Sequence, residues 1–194
     1  IAWTAQTSGI NVNLGGITYG NNTFVAVGDG GGIFTSQDGA IWDTRASGTV
    51  NNLNEIIFAN GTFMTAGVGG TIRTSLDGIT WEGADTNIPN DLFGIAFGND
   101  TFVAVGATGT IITSPDGTTW SPPQTSGTTG FLLGVTYAND TFVVPVGSGN
   151  TAGEAGKILT SPDGITWTTQ TSGTTNVLRA VTYGNSTFAI TGDV

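Results

Sequence analysis

The chain has 194 residues and a formal net charge of −10 at pH 7, with four basic and fourteen acidic side chains. This charge argues against a protein that binds nucleic acid through its phosphates. Because the sequence contains neither cysteine nor histidine, it excludes a disulfide scaffold, a cysteine/histidine zinc site and catalysis by a histidine base.

One segment recurs along the whole chain, and three markers follow it with a shared period. The tryptophans lie 39 residues apart, except for a last step of 47. The markers are the tryptophans Trp3, Trp42, Trp81, Trp120 and Trp167, the Ser-x-Asp-Gly aspartates Asp38, Asp77, Asp116 and Asp163, and the Asn-x-Thr/Ser asparagines Asn21, Asn60, Asn99, Asn139 and Asn185. We divide the single repeat domain, 1–194, into a partial unit 1–13, full units 14–52, 53–91, 92–131 and 132–177, and a partial unit 178–194.

Each full unit is predicted to contain four short antiparallel strands, a to d. In the first they lie in LGGITYGN, NTFVAVGDG, GGIFTSQDG and AIWDTRASG, which are β-branched and aromatic runs separated by Gly, Asn and Asp. No stretch has the periodicity of a helix. An Asn-x turn joins strands a and b, and an Asp-Gly turn joins c and d.

Four strands in about 40 residues is the size of a propeller blade, and closing a ring of blades protects their edges. We therefore predict an all-β fold, either a β-propeller of about five four-stranded antiparallel blades or an arc of a larger propeller. Three explanations of the incomplete end units stay open. The chain is an excerpt of a longer propeller, a five-bladed ring in which residues 1–9 return beside residues 177–194, or a subunit whose last sheet accepts a strand from a neighbouring molecule.

The segments TSQDGAIW, TSLDGITW, TSPDGTTW and TSPDGITW resemble the Asp-box repeats of sialidase-like propellers. They are more similar still to the SPDG-x-x-W repeats of bacterial exported proteins and of photosystem II assembly-factor-like propellers. The resemblance implies that the aspartates close their own turns and that the tryptophans pack between blades. Ordinary turn chemistry and the size of the indole favour the same roles.

Functional alternatives exist for both series of polar residues. Calcium could bind the aspartates, but one carboxylate per turn falls short of the six to eight oxygen ligands that calcium takes. The five asparagines could be N-glycosylation sites, whereas a hairpin turn explains all of them together. We expect no metal site and no cofactor.

The sequence offers no catalytic constellation. A sialidase-type site needs clustered arginines, whereas Arg45, Arg73 and Arg179 occupy three different places in the repeat. We identify no catalytic residue and predict that the protein is not an enzyme.

Alternating strand directions put the a–b and c–d turns on one rim and the b–c and d–a connections on the other. The connections on the second rim differ in sequence among the units, and binding residues usually lie in such variable loops. The candidate recognition loop is the insertion at 148–156, with Ser148, Asn150, Glu154 and the adjoining Lys157; a merely tolerated insertion is the alternative.

The composition, rich in Thr, Asn, Ser and Gly, favours an exported protein at the cell surface or outside the cell. We predict a structural or interaction module that binds a protein or assembles with itself, without nucleic acid or membrane insertion. The alternatives are a carbohydrate-binding propeller and an assembly factor for a membrane complex.

Overall fold

The computed structural model describes residues 4–149 and 152–194. Within these ranges the regular structure consists of eighteen β-strands and three short 3-10 turns. None of their helical segments has the length and apolar character that crossing a membrane requires.

The first two sheets follow the predicted a-b-c-d pattern, and each strand pairs antiparallel with the next. The first contains β1 (Leu14–Gly20), β2 (Thr23–Gly28), β3 (Gly32–Ser36) and β4 (Asp43–Arg45). The second contains β5 (Leu53–Ala59), β6 (Thr62–Gly67), β7 (Ile72–Ser75) and β8 (Glu82–Ala84). The outermost strands, β4 and β8, are only three residues long.

The third sheet has three strands, and here the prediction of four strands per unit is wrong. It contains β9 (Leu92–Gly98), β10 (Thr101–Gly106) and β11 (Ile111–Ser114). Pro122 and Pro123 stand where strand d is expected, and proline has no N–H to donate to a ladder. The segment still lies beside β11, because Ser121 N donates to Thr113 O and Gln124 N to Ile111 O, both at 2.8 Å.

The fourth sheet has a divided first strand. It contains β12 (Gly130–Leu132), β13 (Thr136–Ala138), β14 (Thr141–Gly149), β15 (Lys157–Ser161) and β16 (Thr168–Thr171). Both β12 and β13 pair with β14, so together they take the place of strand a.

The last sheet consists of β17 (Leu178–Gly184) and β18 (Thr187–Gly192). Residues 4–9, the described part of the segment that was considered for closing a five-bladed ring, form no strand.

The five sheets are arranged side by side through their first strands. The first strand of each sheet contacts that of the next, in the order β1, β5, β9, β13 and β17. Buried clusters fill the spaces between the first four sheets; one contains Val25 and Val27 from the first sheet with Leu53, Ile56 and Trp81 from the second. Antiparallel sheets repeated in this way form a β-propeller, as predicted from the repeat.

Candidate functional site

The four Ser-x-Asp-Gly turns are closed by their own side chains. In the second sheet, Asp77 Oδ1 accepts hydrogen bonds from Ile79 N and Thr80 N at 2.8 Å and from Ser75 Oγ at 2.9 Å. The same three contacts, at 2.8–3.1 Å, surround Asp38, Asp116 and Asp163. The repeated carboxylates are therefore engaged within their own turns.

These contacts also fix the charge of the turn aspartates. Backbone N–H donors are the main cause that lowers the pKa of all four carboxyls, and they lower the pKa of Asp77 to about 2. A carboxyl in such a turn stays ionised at neutral pH, so it is unsuited to act as a general acid.

Each described tryptophan of the repeat is tied to the same turn. The indole N–H donates to the carbonyl of the turn glycine at 3.0–3.2 Å in Trp42, Trp81, Trp120 and Trp167. Trp81 and Trp120 are buried, whereas Trp42 and Trp167 are half-buried. Trp3 lies outside the described residues.

The five asparagines of the a–b turns all adopt left-handed backbone conformations, with φ between 45° and 49°. This is the geometry of a two-residue hairpin, and Asn tolerates it better than most residues. Two of these side chains also bridge neighbouring sheets, because Asn21 Nδ2 donates to Leu76 O and Asn99 Nδ2 to Pro162 O. Glycosylation of Asn21, Asn60, Asn99, Asn139 and Asn185 stays a prediction.

The two rims can now be defined. The turn rim comprises the a–b turns and the Ser-x-Asp-Gly turns, which the asparagine bridges join. The loop rim comprises the 3-10 turns Asp29–Gly31, Val68–Gly70 and Ala107–Gly109 with the linkers 46–52, 85–91 and 121–129. Backbone bonds join turn to linker there, for example from Val68 N to Asn52 O at 2.9 Å.

The candidate recognition loop is held inward at its charged end. Glu154 is only 9% exposed; its Oε1 lies 3.1 Å from Lys157 Nζ, and its Oε2 accepts hydrogen bonds from Thr128 Oγ1 and Thr129 N. These contacts, chiefly the one from Thr128, lower the pKa of Glu154. Glu154 thus attaches the loop to the preceding linker, while Ser148 is exposed and Asn150 lies outside the described residues.

Three equivalent grooves lie on the loop rim, each between a 3-10 turn and a linker. Their volumes are about 820, 700 and 570 Å³ in the first, second and third sheets. Backbone and small polar side chains form most of their walls, but Val50, 85% exposed, stands at the first groove. The grooves repeat in position and differ in side chains.

Sequence reasoning missed the role of Arg73, which lines the second groove. It occupies the repeat position that holds Phe34, Ile112 and Leu159 elsewhere, and those three side chains are buried. The guanidinium reaches back to the linker that follows the first sheet, where Nη2 donates to Gly48 O at 2.7 Å. The aligned units contain a signal for this role, because Arg73 is a cation at a repeat position where the other three units have apolar residues.

The remaining charged groups do not converge. Arg45 pairs with Asp43 and Arg179 with Asp193, at two separate places. Glu55 is half-buried on β5, where it accepts a hydrogen bond from Ile56 N, and burial raises its pKa. Among the described residues, no group of three or more Asp, Glu, His or Cys is arranged to hold a metal ion.

Comparison with solved structures places the chain among β-propellers. YCF48 bound to D1 peptide matches with a TM-score of 0.68 and 18% identity over 94% of this chain and 61% of that one. YCF48 from Cyanidioschyzon merolae matches with a TM-score of 0.67 and 18% identity, over 89% of this chain and 60% of that one. The nidogen/laminin complex matches with a TM-score of 0.69 and 14% identity, over 93% of this chain and 72% of that one. The chain spans about three fifths of the length of the YCF48 chains.

No protein-family model matches the chain, and no curated protein matches it. The likeness to these propellers therefore establishes the fold: the chain has the β-propeller fold of YCF48 and of the nidogen/laminin complex.

Proposed function

We propose that the protein is a non-enzymatic interaction module of the cell surface or the extracellular space, and that it binds a protein partner along its loop rim. One observation carries the proposal. The repeated Ser, Asp and Trp side chains bond within their own turns, whereas the loop-rim grooves differ in their side chains from sheet to sheet. A rigid scaffold with variable loops is the usual platform for recognition.

Two of the similar structures support a protein partner. One is named as YCF48 bound to D1 peptide and the other as a nidogen/laminin complex. We infer that this chain also uses its propeller to bind a peptide or protein segment, and that its Ser-x-Asp-Gly turns are repeats of the Asp-box type. An assembly factor for a membrane complex is the alternative to this function; it too requires a protein partner, and the likeness to YCF48 bound to D1 peptide supports that requirement.

The first groove, at Val50, is the place to test. An exposed valine beside polar backbone offers a partner both apolar contact and hydrogen bonds. The chain also carries net charge −10, so a partner segment with basic residues would associate faster at low salt.

The experiment selects peptides from a phage-displayed random library on the immobilised chain and measures their binding to two variants. Val50→Arg alters the first groove, and Leu76→Arg makes the same kind of change at an exposed apolar side chain on the turn rim. We expect the selected peptides to lose binding to Val50→Arg and to keep it with Leu76→Arg. Enrichment of no peptide, or loss with Leu76→Arg alone, would contradict the proposal, and binding only to a glycan array would support the carbohydrate-binding alternative instead.

A further inference from the structure

Arg73 differs from the other basic side chains in having no carboxylate partner. The other three form ion pairs, which are Arg45–Asp43, Lys157–Glu154 and Arg179–Asp193. Among the described residues, no Asp or Glu forms an ion pair with Arg73, although the chain has fourteen acidic side chains and only four basic ones. The guanidinium of Arg73 is therefore a positive charge that no described carboxylate neutralises.

Two facing positions of the second sheet depart together from the repeat. Arg73 on β7 pairs with Gly83 on β8, where the first and fourth sheets have the pairs Phe34–Thr44 and Leu159–Thr169. A methyl group at Gly83 would lie 2.5 Å from Arg73 Nη1, so the guanidinium lies over a position where a side chain would collide with it. The same two strands pair in the first and fourth sheets without a cation, so the fold does not require one here.

One nitrogen holds the guanidinium in place, and the other donors are unused. Nη2 donates to Gly48 O at 2.7 Å, while Nε is buried and has no hydrogen-bond partner in the part of the chain that the structure describes. Asp85 lines the same groove, but its Oδ1 accepts a hydrogen bond from Asn87 N at 3.2 Å. A partly buried charge with unmade hydrogen bonds costs the folded state free energy, and an anion that reaches the guanidinium offsets that cost.

We propose that the second groove binds the carboxylate of an Asp or Glu side chain in the partner segment, and that Arg73 holds it. The inference rests on the proposed function and names a group that the partner brings to the loop rim. The planar guanidinium matches a carboxylate in shape and in charge. Thr49 and Asn51 line both the first and the second groove, so one extended segment can contact Val50 and reach Arg73.

The net charge of the chain makes this contact selective. At −10, the protein repels an acidic side chain over most of its surface. A cation that no described carboxylate neutralises attracts such a side chain at one place on the loop rim, and complementary charge of this kind sets the register of a bound segment.

The test is a selection from a phage-displayed random peptide library with a depletion step. The library is first depleted on immobilised Arg73→Leu, which has the apolar side chain that the fourth sheet carries at this position, and is then selected on the wild-type chain. We expect the enriched peptides to share an acidic residue at one position. Replacing that residue by its amide should weaken binding to the wild type on the order of tenfold to a hundredfold. The amide peptide should bind the wild type and Arg73→Leu equally.

Arg179→Leu is the matched control, because it removes the same charge from an exposed arginine that is paired with Asp193. Depletion on this variant should remove the acidic peptides, since its second groove is intact. Acidic peptides that are enriched after both depletions would overturn the proposal, because that result assigns them to a general attraction to arginine.

If Arg73→Leu fails to fold by circular dichroism, Gly83→Thr replaces it in the depletion step. Threonine stands at the equivalent positions of the first and fourth sheets, and its side chain would displace the guanidinium without changing the net charge.

The remaining outcomes separate this inference from the proposed function. Enriched peptides without a shared acidic residue would overturn the carboxylate site. So would a library that yields binders without depletion and none after depletion on Arg73→Leu, and in both cases the proposed function would still stand. A library that yields no binder even without depletion would contradict the proposed function, and the carboxylate site with it.

Discussion

The side-chain amide of Asn21 donates a 2.9 Å hydrogen bond to the backbone carbonyl of Leu76, 55 residues further along the chain. The donor belongs to the a–b turn of the first sheet, and the acceptor to the Ser-x-Asp-Gly turn of the second. Asn21 therefore both forms the turn of its own hairpin and attaches that hairpin to the second sheet.

We expect Asn21→Gly to lower the free energy of unfolding by about 1 kcal/mol, the usual contribution of one such hydrogen bond. Glycine keeps the left-handed backbone accessible, so the change removes the bridge and leaves the turn. Denaturant unfolding monitored by tryptophan fluorescence measures it. Asn185→Gly is the matched control, since Asn185 has the same turn geometry and its side-chain amide donates to none of the residues that the structure describes; equal losses in the two variants would contradict the bridge.

Trp81→Ala should cost about 3–5 kcal/mol of stability, the range for removing a large aromatic side chain from a core. Trp81 is buried between the first two sheets and donates to Gly78 O. Trp42 makes the equivalent hydrogen bond but is only half-buried, so Trp42→Ala should cost less. Equilibrium unfolding checks both, and a loss below about 1 kcal/mol at Trp81 would place that indole outside the core.

Stability should fall as the pH is lowered from about 4 to about 2. The folded-state pKa of Asp77 is lowered to about 2, while a free aspartate titrates near 3.9. Its stabilising contribution is therefore complete above the unfolded pKa and disappears as the pH falls through the folded one. Asp77→Asn should flatten the dependence of the thermal midpoint on pH in this window, and an unchanged slope in this variant would contradict the prediction.

Glu55→Gln should raise the thermal midpoint at pH 7. Burial raises the pKa of Glu55, so ionisation costs the folded state stability as the pH rises above the unfolded pKa of about 4.3. The amide removes that cost, and the difference from wild type should vanish at pH 3. A thermal midpoint of Glu55→Gln that equals the wild-type value at pH 7 would contradict this prediction.

Gly31→Ala should destabilise the protein more than Gly30→Ala does. Both glycines have positive φ, so each substitution incurs the conformational cost of about 1–2 kcal/mol. A methyl group at Gly31 would overlap the carbonyl oxygen of Thr49, whereas one at Gly30 would meet open space, and Thr108 already occupies the equivalent place. If the unfolding curves of the two variants coincide, the prediction is wrong, and the turn must shift away from its linker to accommodate the methyl group at position 31.

The strands and turns followed from the sequence because their signals are local. Asn-x and Ser-x-Asp-Gly contain the donors and acceptors that close their own turns, and the repeat shows each of them four or five times. The propeller followed because a four-stranded unit of this length can bury its faces only against further units.

Other features depended on contacts between distant segments. Glu154 was predicted to belong to a recognition loop, but Thr128 and Lys157 bind its carboxylate, and nothing in the loop itself indicates the first of these partners. The absence of an outer strand in the third sheet had a local signal in the sequence, since Pro122 and Pro123 lack backbone N–H donors. The repeat pattern outweighed that signal.

Those two prolines also bear on aggregation, because they lie at the border of a sheet. Exposed outer strands are places where β-rich proteins join into fibrils through unsatisfied main-chain donors. Around Pro122 and Pro123 the neighbouring donors, Ser121 N and Gln124 N, already bond to β11, and the prolines have none to offer. Residues 121–124 therefore present no free backbone donor at the border of the third sheet, which disfavours the addition of a foreign strand at these residues.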